Sequence, residues 1–470
     1  MNTLKPENEN KMGVKKINSL IWSMGLPMIL SMVLQALYNV VDTTFVINMG
    51  DNGTLGNIAL SAAFPVQILM IAIGVGSGVG INVSLSKSLG EGKVEKVNKI
   101  AGNGLFLAGV FFVVFLLFGL FLAKPYMQLM SKDGTVVEMG TQYLKICCCI
   151  SIGSIGFAIA ERFLIATGKT LYSMIAQVAG AVTNIVLDYV FIYPLNMGIA
   201  GAAYATVIGQ VLSFVLALVF HYATNKEIDG NLKYAKPSFG IIKEVYKTGF
   251  PAFLMQGMLS LMMFGVLLII GTIGDEYVVN LLSGGYGIYY KLMQTALFAA
   301  FGLSNTLISI TSYNYGVKNY DRVRDTVKYG IIDSVIVTLV LMAIFQIFAE
   351  PVSNIFALTV EESSVVSKSD ILSVCKTALH IATIGYAFMG FSVGVQGILQ
   401  GFNEVYSPLI ISALRLIVLV LPLAYLFTLS KNVVNLIWWT FPIAEVLTAI
   451  ASFLLLKSSL KKNLPLSAEK

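Results

Sequence analysis

Twelve stretches of this 470-residue chain stay apolar for about 20 residues or more, the length a helix needs to cross the hydrocarbon of a bilayer. They run near Ile17–Asn48, Leu60–Leu85, Ile100–Leu122, Tyr143–Ala166, Leu171–Ile192 and Ala200–Tyr222. Six more run near Gly249–Ile273, Gly284–Ile310, Tyr329–Phe348, Ile371–Leu399, Pro408–Leu429 and Val434–Leu456. Lipid offers the backbone no hydrogen-bond partner, so each run is expected to be a helix. Composition agrees: 56% of residues are hydrophobic and 12% charged, against about a quarter charged in a soluble domain. A soluble enzyme or a nucleic-acid binder is excluded, despite the net charge of +6.

Lysine and arginine orient the helices. With both termini in the cytoplasm, 23 of the 31 basic residues fall on inner segments. Lys124, Lys132, Lys145, Lys368, Lys376 and Lys431 fall outside, while Lys291 and Arg415 sit within spans. The acidic pairs Asp275–Glu276 and Glu361–Glu362 fall on outer loops. This asymmetry predicts a multi-pass protein of the inner (cytoplasmic) membrane with cytoplasmic termini. The run after Lys16 is longer than the ~7–15 apolar residues of a cleavable signal, so the first span is expected to be retained. Cys147, Cys148 and Cys149 are consecutive and Cys375 is alone, which suits packing rather than a disulfide framework or a zinc site.

The chain repeats itself. Gly25-Leu26-Pro27 recurs as Gly249-Phe250-Pro251 and Gly50-Asp51 as Gly274-Asp275, both at an offset of 224. Gly90 matches Gly316, Gly168 matches Gly401, and Tyr172-Ser173 matches Tyr406-Ser407. The halves start from the same side, so the repeat is parallel. The expected organisation is a tail (1–16), a six-span lobe (17–222), a basic linker (223–248), a second six-span lobe (249–457) and a tail (458–470). Two such bundles enclosing a central cavity form a transporter architecture.

An ionisable group inside a span costs at least about 2.5–3.5 kcal/mol on insertion scales, so each asks for a reason. Asp42 lies deep in the first span and Asp188 in the fifth. Asn184 is four residues before Asp188 and shares its helix face, and Gln177, seven further back, extends the stripe. On the sixth span Thr206 and Gln210 are again four apart. The set is all oxygen, suited to a proton or sodium and unsuited to zinc or copper. Two carboxylates in low dielectric cannot both stay charged cheaply unless a cation sits between them. Isolated interhelical hydrogen bonds are the alternative reading. The repeat weighs against it, because Asp42, Asn184, Asp188 and Thr206 map to Val266, Val418, Pro422 and Phe441. Glu445 aligns with Gln210 and is either a second titratable site or a hydrogen-bonded core residue. Lys291, near the outer end of the eighth span, is expected to snorkel outward or pair with an acid rather than bind substrate. His380 and Arg415 are expected to be structural, and Glu161 and Arg162 to form a local ion pair.

Pro27 and Pro251 stand near the start of the first helix of each half, where a missing amide hydrogen bond permits bending. Gly74, Gly76, Gly78 and Gly80 make two overlapping GxxxG pairs, which allow close helix approach. Gly168-Lys169-Thr170 resembles the end of a phosphate-binding loop, but Phe163 stands where its first glycine belongs. Without an ATP site, an ion gradient must drive transport. Methionine stripes at Met24, Met28 and Met32 and at Met255, Met258 and Met262 fit either packing or an adaptable wall for lipophilic substrates. Tyr38, Phe157 and Tyr289 would help in the second case. His221 and His380 are the two histidines and lie in no HExxH motif, so an enzyme is not expected.

The first-span pattern Leu26-Pro27, Gln35, Tyr38 and Val41-Asp42 resembles the multidrug and toxic compound extrusion (MATE) family. So do Phe163-Leu164-Ile165-Ala166-Thr167-Gly168-Lys169, Thr183-Asn184-Ile185-Val186-Leu187-Asp188, Gly201-Ala202-Ala203-Tyr204-Ala205-Thr206 and Pro442-Ile443-Ala444-Glu445. The resemblance runs from about Ile17 to Lys457. It implies two six-helix lobes around a V-shaped cavity, exporting cationic lipophilic drugs in exchange for H⁺ or Na⁺, with no cofactor. In the DinF-like branch the coupling site lies in the N-terminal lobe, at positions matching Asp42, Asn184, Asp188 and Thr206. The NorM-like branch adds acids in the other lobe. Here Leu259 replaces the seventh-span glutamate and Ile371–Asn403 holds no Asp or Glu, so that site is not expected unless Glu445 contributes. The substrate chamber is assigned to Gln35, Tyr38, Gln177, Gln210, Met28, Phe157 and Tyr289, with the hinge at Pro27. A monomer in the bilayer is expected, with small organic cations and no nucleic acid as partners. The alternative is a lipid-linked oligosaccharide flippase or metabolite exporter of the same superfamily. A flippase would be expected to show extra spans and an arginine-rich cavity, whereas Arg415 is the one intramembrane arginine.

Overall fold

The computed structural model describes residues 10–49, 53–229, 232–356 and 366–465. Gly50-Asp51, Glu361–Glu362 and the ends of both tails lie outside the described residues. Among the described residues eleven helices are long and apolar enough to span a bilayer, and one bent pair brings the number to twelve when its two pieces are counted as one span. In the first half they are α1 (Ile17–Ile47), α2 (Gly53–Gly90), α3 (Val94–Met130), α4 (Gly134–Cys149 and Ile152–Ala166), α5 (Thr170–Ile192) and α6 (Gly198–Thr224). The second half holds α7 (Phe239–Ile270), α8 (Glu276–Val317), α9 (Tyr320–Ile347), α10 (Lys368–Gly401), α11 (Tyr406–Thr428) and α12 (Val433–Asn463). Among the described residues there is no strand. The helices outrun the apolar runs because their ends are capped in the polar loops. Asp133 accepts from the amides of Thr135 and Val136 at 2.8 and 3.1 Å and starts α4 nine residues before Tyr143. Asp275 and Asn319 start α8 and α9 in the same way.

Proline leaves its mark on two spans. A π turn at Phe118–Leu122 ends three residues before Pro125, and another at Leu414–Val418 ends four before Pro422. Proline has no amide hydrogen and crowds the carbonyl four residues back, and a widened turn there relieves both problems. In α4 the 42° bend falls between Cys149 and Ile152, which the apolar run alone did not reveal. The second piece lies close against α6, where a Cβ on Gly153 would meet the Val211 amide at 2.7 Å.

The chain forms two compact units, Met1–Val14 with Leu37–Phe253, and Lys15–Ala36 with Leu254–Lys470. In the first unit the glycine run of α2 serves two neighbours. Gly76 and Gly80 abut the backbone of Gly249 and Val245 on α7, while Gly74 and Gly78 abut Ala158 and Arg162 on α4. Each overlapping GxxxG pair therefore receives one helix. Tyr246 and Glu244 of α7 add contacts to Ser77 (2.9 Å) and Lys96 (2.7 Å). Helices α5 and α6 approach through Gly180 and Gly209, and a Cβ on Gly180 would collide with the Ser213 hydroxyl and the Gly209 carbonyl. Gly180→Ala is therefore expected to destabilise the protein by about 1–3 kcal/mol through overpacking. A lower melting temperature in detergent checks this, and an unchanged one refutes it.

In the second unit α10 is the centre. Gly390 and Gly394 lie against Ser334 and Thr338 of α9, and Gly397 lies against Ser304 of α8. Two polar clasps close corresponding turns in the halves. Lys169 reaches Glu227 (2.6 Å) and Asn225 (3.2 Å), while Glu404 accepts from Ser459 (2.6 Å) and Asn463 (3.0 Å). The two clasps have opposite charge at their hub.

Candidate functional site

Three helices of the first unit carry the polar cluster. Helix α5 places Asn184 and Asp188 one turn apart on a buried face, 3% and 0% exposed. Helix α1 brings Asp42 so close that its carboxyl and that of Asp188 are within hydrogen-bonding reach. The amide nitrogen of Asn184 points at the Thr206 hydroxyl of α6, at 3.5 Å. Oδ1 of Asp42, Oδ1 of Asn184 and both carboxylate oxygens of Asp188 are buried without a hydrogen-bond donor. No basic residue forms an ion pair with either acid among the described residues.

Acceptors thus outnumber donors. At an effective dielectric of about 20, two unit charges about 4 Å apart repel by about 4 kcal/mol. A proton shared between the carboxyls, or a hard cation among the oxygens, offsets that repulsion and supplies the missing partner. Among the described residues no group of three or more His, Cys, Asp or Glu side chains could hold a metal. The donor set fits an alkali cation or a proton and is a poor fit for a transition metal.

The surroundings are polar aromatic. Tyr38, one turn before Asp42, lies within electrostatic range of both acids. Tyr143 and Cys147 of α4 lie within electrostatic range of Asp42, and Gln67 donates to the Tyr143 hydroxyl at 2.6 Å. The sequence assigned Cys147 to packing and Tyr143 to no site, although their spacing of four residues puts them on one helix face.

The remaining chamber residues separate. Gln177 and Gln210 belong to the same unit as the acids, as does Phe157, which packs half-buried against Ala160, Leu164, Ala176 and Ala217. Gln35 and Met28 lie on the part of α1 that belongs to the second unit. Met28 is fully buried and Tyr289 is 1% exposed, against Trp438 and Phe441 at centroid distances of 5.7 and 4.8 Å. Both are core residues here rather than part of an open wall, because neighbouring side chains fill the space around them. Pro27 sits inside a continuous α1.

Glu445 has a partner that the sequence did not give. Arg415, placed on the π turn of α11, donates to Glu445 Oε1 from Nε at 3.2 Å and from Nη2 at 2.7 Å, with both side chains largely buried. A second omission is Asp333 of α9, 4% exposed in an apolar span. The signal was the one that singled out Asp42, a carboxylate where lipid-facing residues are expected.

Comparison with known proteins gives the same architecture. The chain is 26% identical over 433 residues to the multidrug export protein MepA of Staphylococcus haemolyticus, covering 92% of each chain. Against MepA of Staphylococcus aureus (strain MRSA252) it is 25% identical over 431 residues, 92% of this chain and 91% of that one. Among solved structures, the outward-facing form of a multidrug resistance MATE family transporter of the MOP superfamily superposes with a TM-score of 0.89. That match has 24% identity and covers 98% of this chain and 99% of the other. A MATE in the straight conformation gives 0.87 at 24% identity, over 97% and 99%. At such identity these structures speak for the fold. The MatE family model matches residues 27–190 and 251–426, one segment in each half and together well over half of the chain. The chain thus belongs to the MatE family of membrane transporters.

Proposed function

We propose that this protein is a secondary active efflux antiporter that exports cationic lipophilic compounds in exchange for external H⁺ or Na⁺. The observation that carries the reading is the donor-poor pair of Asp42 and Asp188, set where α1 meets α5. The relatives named for multidrug export support the substrate class. Asp42 and Asp188 bind the coupling ion, and Asn184 and Thr206 complete its oxygen shell. The ion is cargo of the cycle, not a resident cofactor. Its arrival cancels the repulsion between the acids and lets α1 close on α5. Pro27 lacks the amide hydrogen that would stiffen α1, so the helix bends there and the drug leaves outward. Gln35, Tyr38, Gln177 and Gln210 supply polar contacts along the drug's route, and Phe157 an aromatic one. The working unit is a monomer of two six-span lobes, 17–222 and 249–457, in the cytoplasmic membrane with both termini inside.

Two transport assays test this. Purified protein in liposomes is given a sodium gradient or a pH gradient, and uptake of tetraphenylphosphonium is followed. Accumulation under one gradient and not the other names the ion. No accumulation under either removes the antiport reading.

A further inference from the structure

The segment ahead of α1 is seated on the first unit. Lys11–Val14 forms a single helical turn in which Met12 is fully buried. A lone turn is unstable by itself, so its order comes from what it touches. Asn10 precedes it, and its Oδ1 accepts from the Met12 amide at 2.9 Å. The Nδ2 of Asn10 donates to the Thr167 carbonyl at 3.1 Å and to Glu227 Oε1 at 3.0 Å. The other oxygen of Glu227 accepts from Lys169 Nζ, and Asn225 of the same loop donates to the Phe163 carbonyl at 3.0 Å. The seat is thus the turn between α4 and α5 together with the loop after α6, with Glu227 as its hub. Gly168 has a φ of +82°, and a Cβ there would meet Lys11 Cε at 2.8 Å and Met12 Cγ at 3.6 Å. Only glycine lets the chain lie so close across that turn. The hub of the other clasp, Glu404, gives its oxygens to Ser407, Ser459 and Asn463 of its own lobe instead.

Just past this turn the chain changes unit: the segment up to Val14 belongs to the first and Lys15–Ala36 to the second. Lys15 is held in the second unit, where its carbonyl accepts from Arg322 Nη2 at 2.8 Å. The same guanidinium donates from Nε to Asn314 Oδ1 at 2.9 Å. Asn10 and Lys15 are therefore two fixed points, one in each unit, joined by a short piece of chain. Five residues cover about 8 Å when wound as a helix and about 17 Å when drawn out. A small shift of one unit against the other unwinds the turn and uncovers Met12. A shift that exceeds the slack of about 9 Å pulls Asn10 off Glu227.

We propose that residues 10–14 are a latch at the cytoplasmic end of the transporter. Docked on Glu227, they limit how far the two units part on that side, and they come free before the inner face opens to take up drug. The inference rests on the antiport reading and on the cytoplasmic placing of the termini. Asn10 and Glu227 touch neither ion nor drug, and act only on the change of shape. A hydrogen bond to a charged acceptor suits a latch that opens once per cycle, because it favours the docked state by roughly tenfold to hundredfold and no more.

The test uses the full-length protein in liposomes, with tetraphenylphosphonium as probe and the four native cysteines replaced by alanine. In this background Met12→Cys reports the latch, since a buried thiol escapes maleimide and an uncovered one does not. Asn10→Asp keeps the oxygen that caps Met12 but sets a carboxylate against Glu227, so labelling is expected to quicken by about tenfold or more. Adding Glu227→Gln restores a donor opposite position 10 and returns labelling toward the background rate. Without Asn10→Asp, labelling quickens once probe and an ion gradient start turnover. Asn10→Cys/Glu227→Cys, joined by a short bis-methanethiosulfonate, is expected to lose about tenfold or more in exchange rate and to regain it on reduction. Labelling that ignores Asn10→Asp, or ignores turnover, overturns the proposal. Full exchange with the linker in place overturns the latch and leaves the antiport reading standing. If the unlinked protein moves no probe under either gradient, the antiport reading fails and the latch falls with it.

Discussion

Asp42→Asn is expected to abolish ethidium efflux from energised vesicles while the protein stays folded and at least as heat-stable as the native form. The carboxylate it removes lies beside another, and the atoms involved have no donor to lose. Removing one charge relieves a repulsion of up to about 4 kcal/mol. The rival reading, an interhelical hydrogen bond that holds α1 to α5, predicts the opposite sign. Loss of such a bond lowers stability by about 0.6–2 kcal/mol. Efflux together with thermal unfolding in detergent therefore separates the two. Retained efflux refutes the coupling role, and lost efflux with a lowered melting temperature favours the structural one.

The second large effect concerns the buried pair of α11 and α12. Glu445→Leu leaves the guanidinium of Arg415 buried, 3% exposed, without its counter-charge. Breaking a buried pair in this way costs about 3–5 kcal/mol. The double variant Arg415→Leu/Glu445→Leu is expected to recover most of the loss, since two apolar side chains leave no charge unpaired. Arg415→Leu alone is milder, because a carboxyl without a partner can take up a proton and a guanidinium cannot lose one. Unfolding midpoints of the three variants check the order. Equal loss in all three would mean that the pair contributes packing and not charge compensation.

Glu445 illustrates what can be read along a chain and what cannot. Its position in an apolar span and its match to Gln210 marked it as unusual, but both a titratable role and a core role fitted. The choice turned on Arg415, thirty residues away, which a π turn ahead of Pro422 places opposite it. Met28 and Tyr289 pose the same problem. Their chemistry suits a drug chamber equally well, and only the filled space around them makes them core. Asp333 carries the same signal as Asp42, but no carboxylate or carboxamide stands one helical turn away from it as Asn184 does from Asp188.

The spans, their order, the duplicated halves and the glycine contacts of α2 were fixed by the amino-acid order. Hydropathy, proline and small side chains act locally, within one helix and the lipid beside it. The bend in α4, the division of α1 between the units and the meeting of Asp42 with Asp188 were decided by tertiary structure. Helical periodicity says which residues share a face and leaves free the rotation and slide of one helix against the next. A buried charge finds its partner only when those two freedoms are lost.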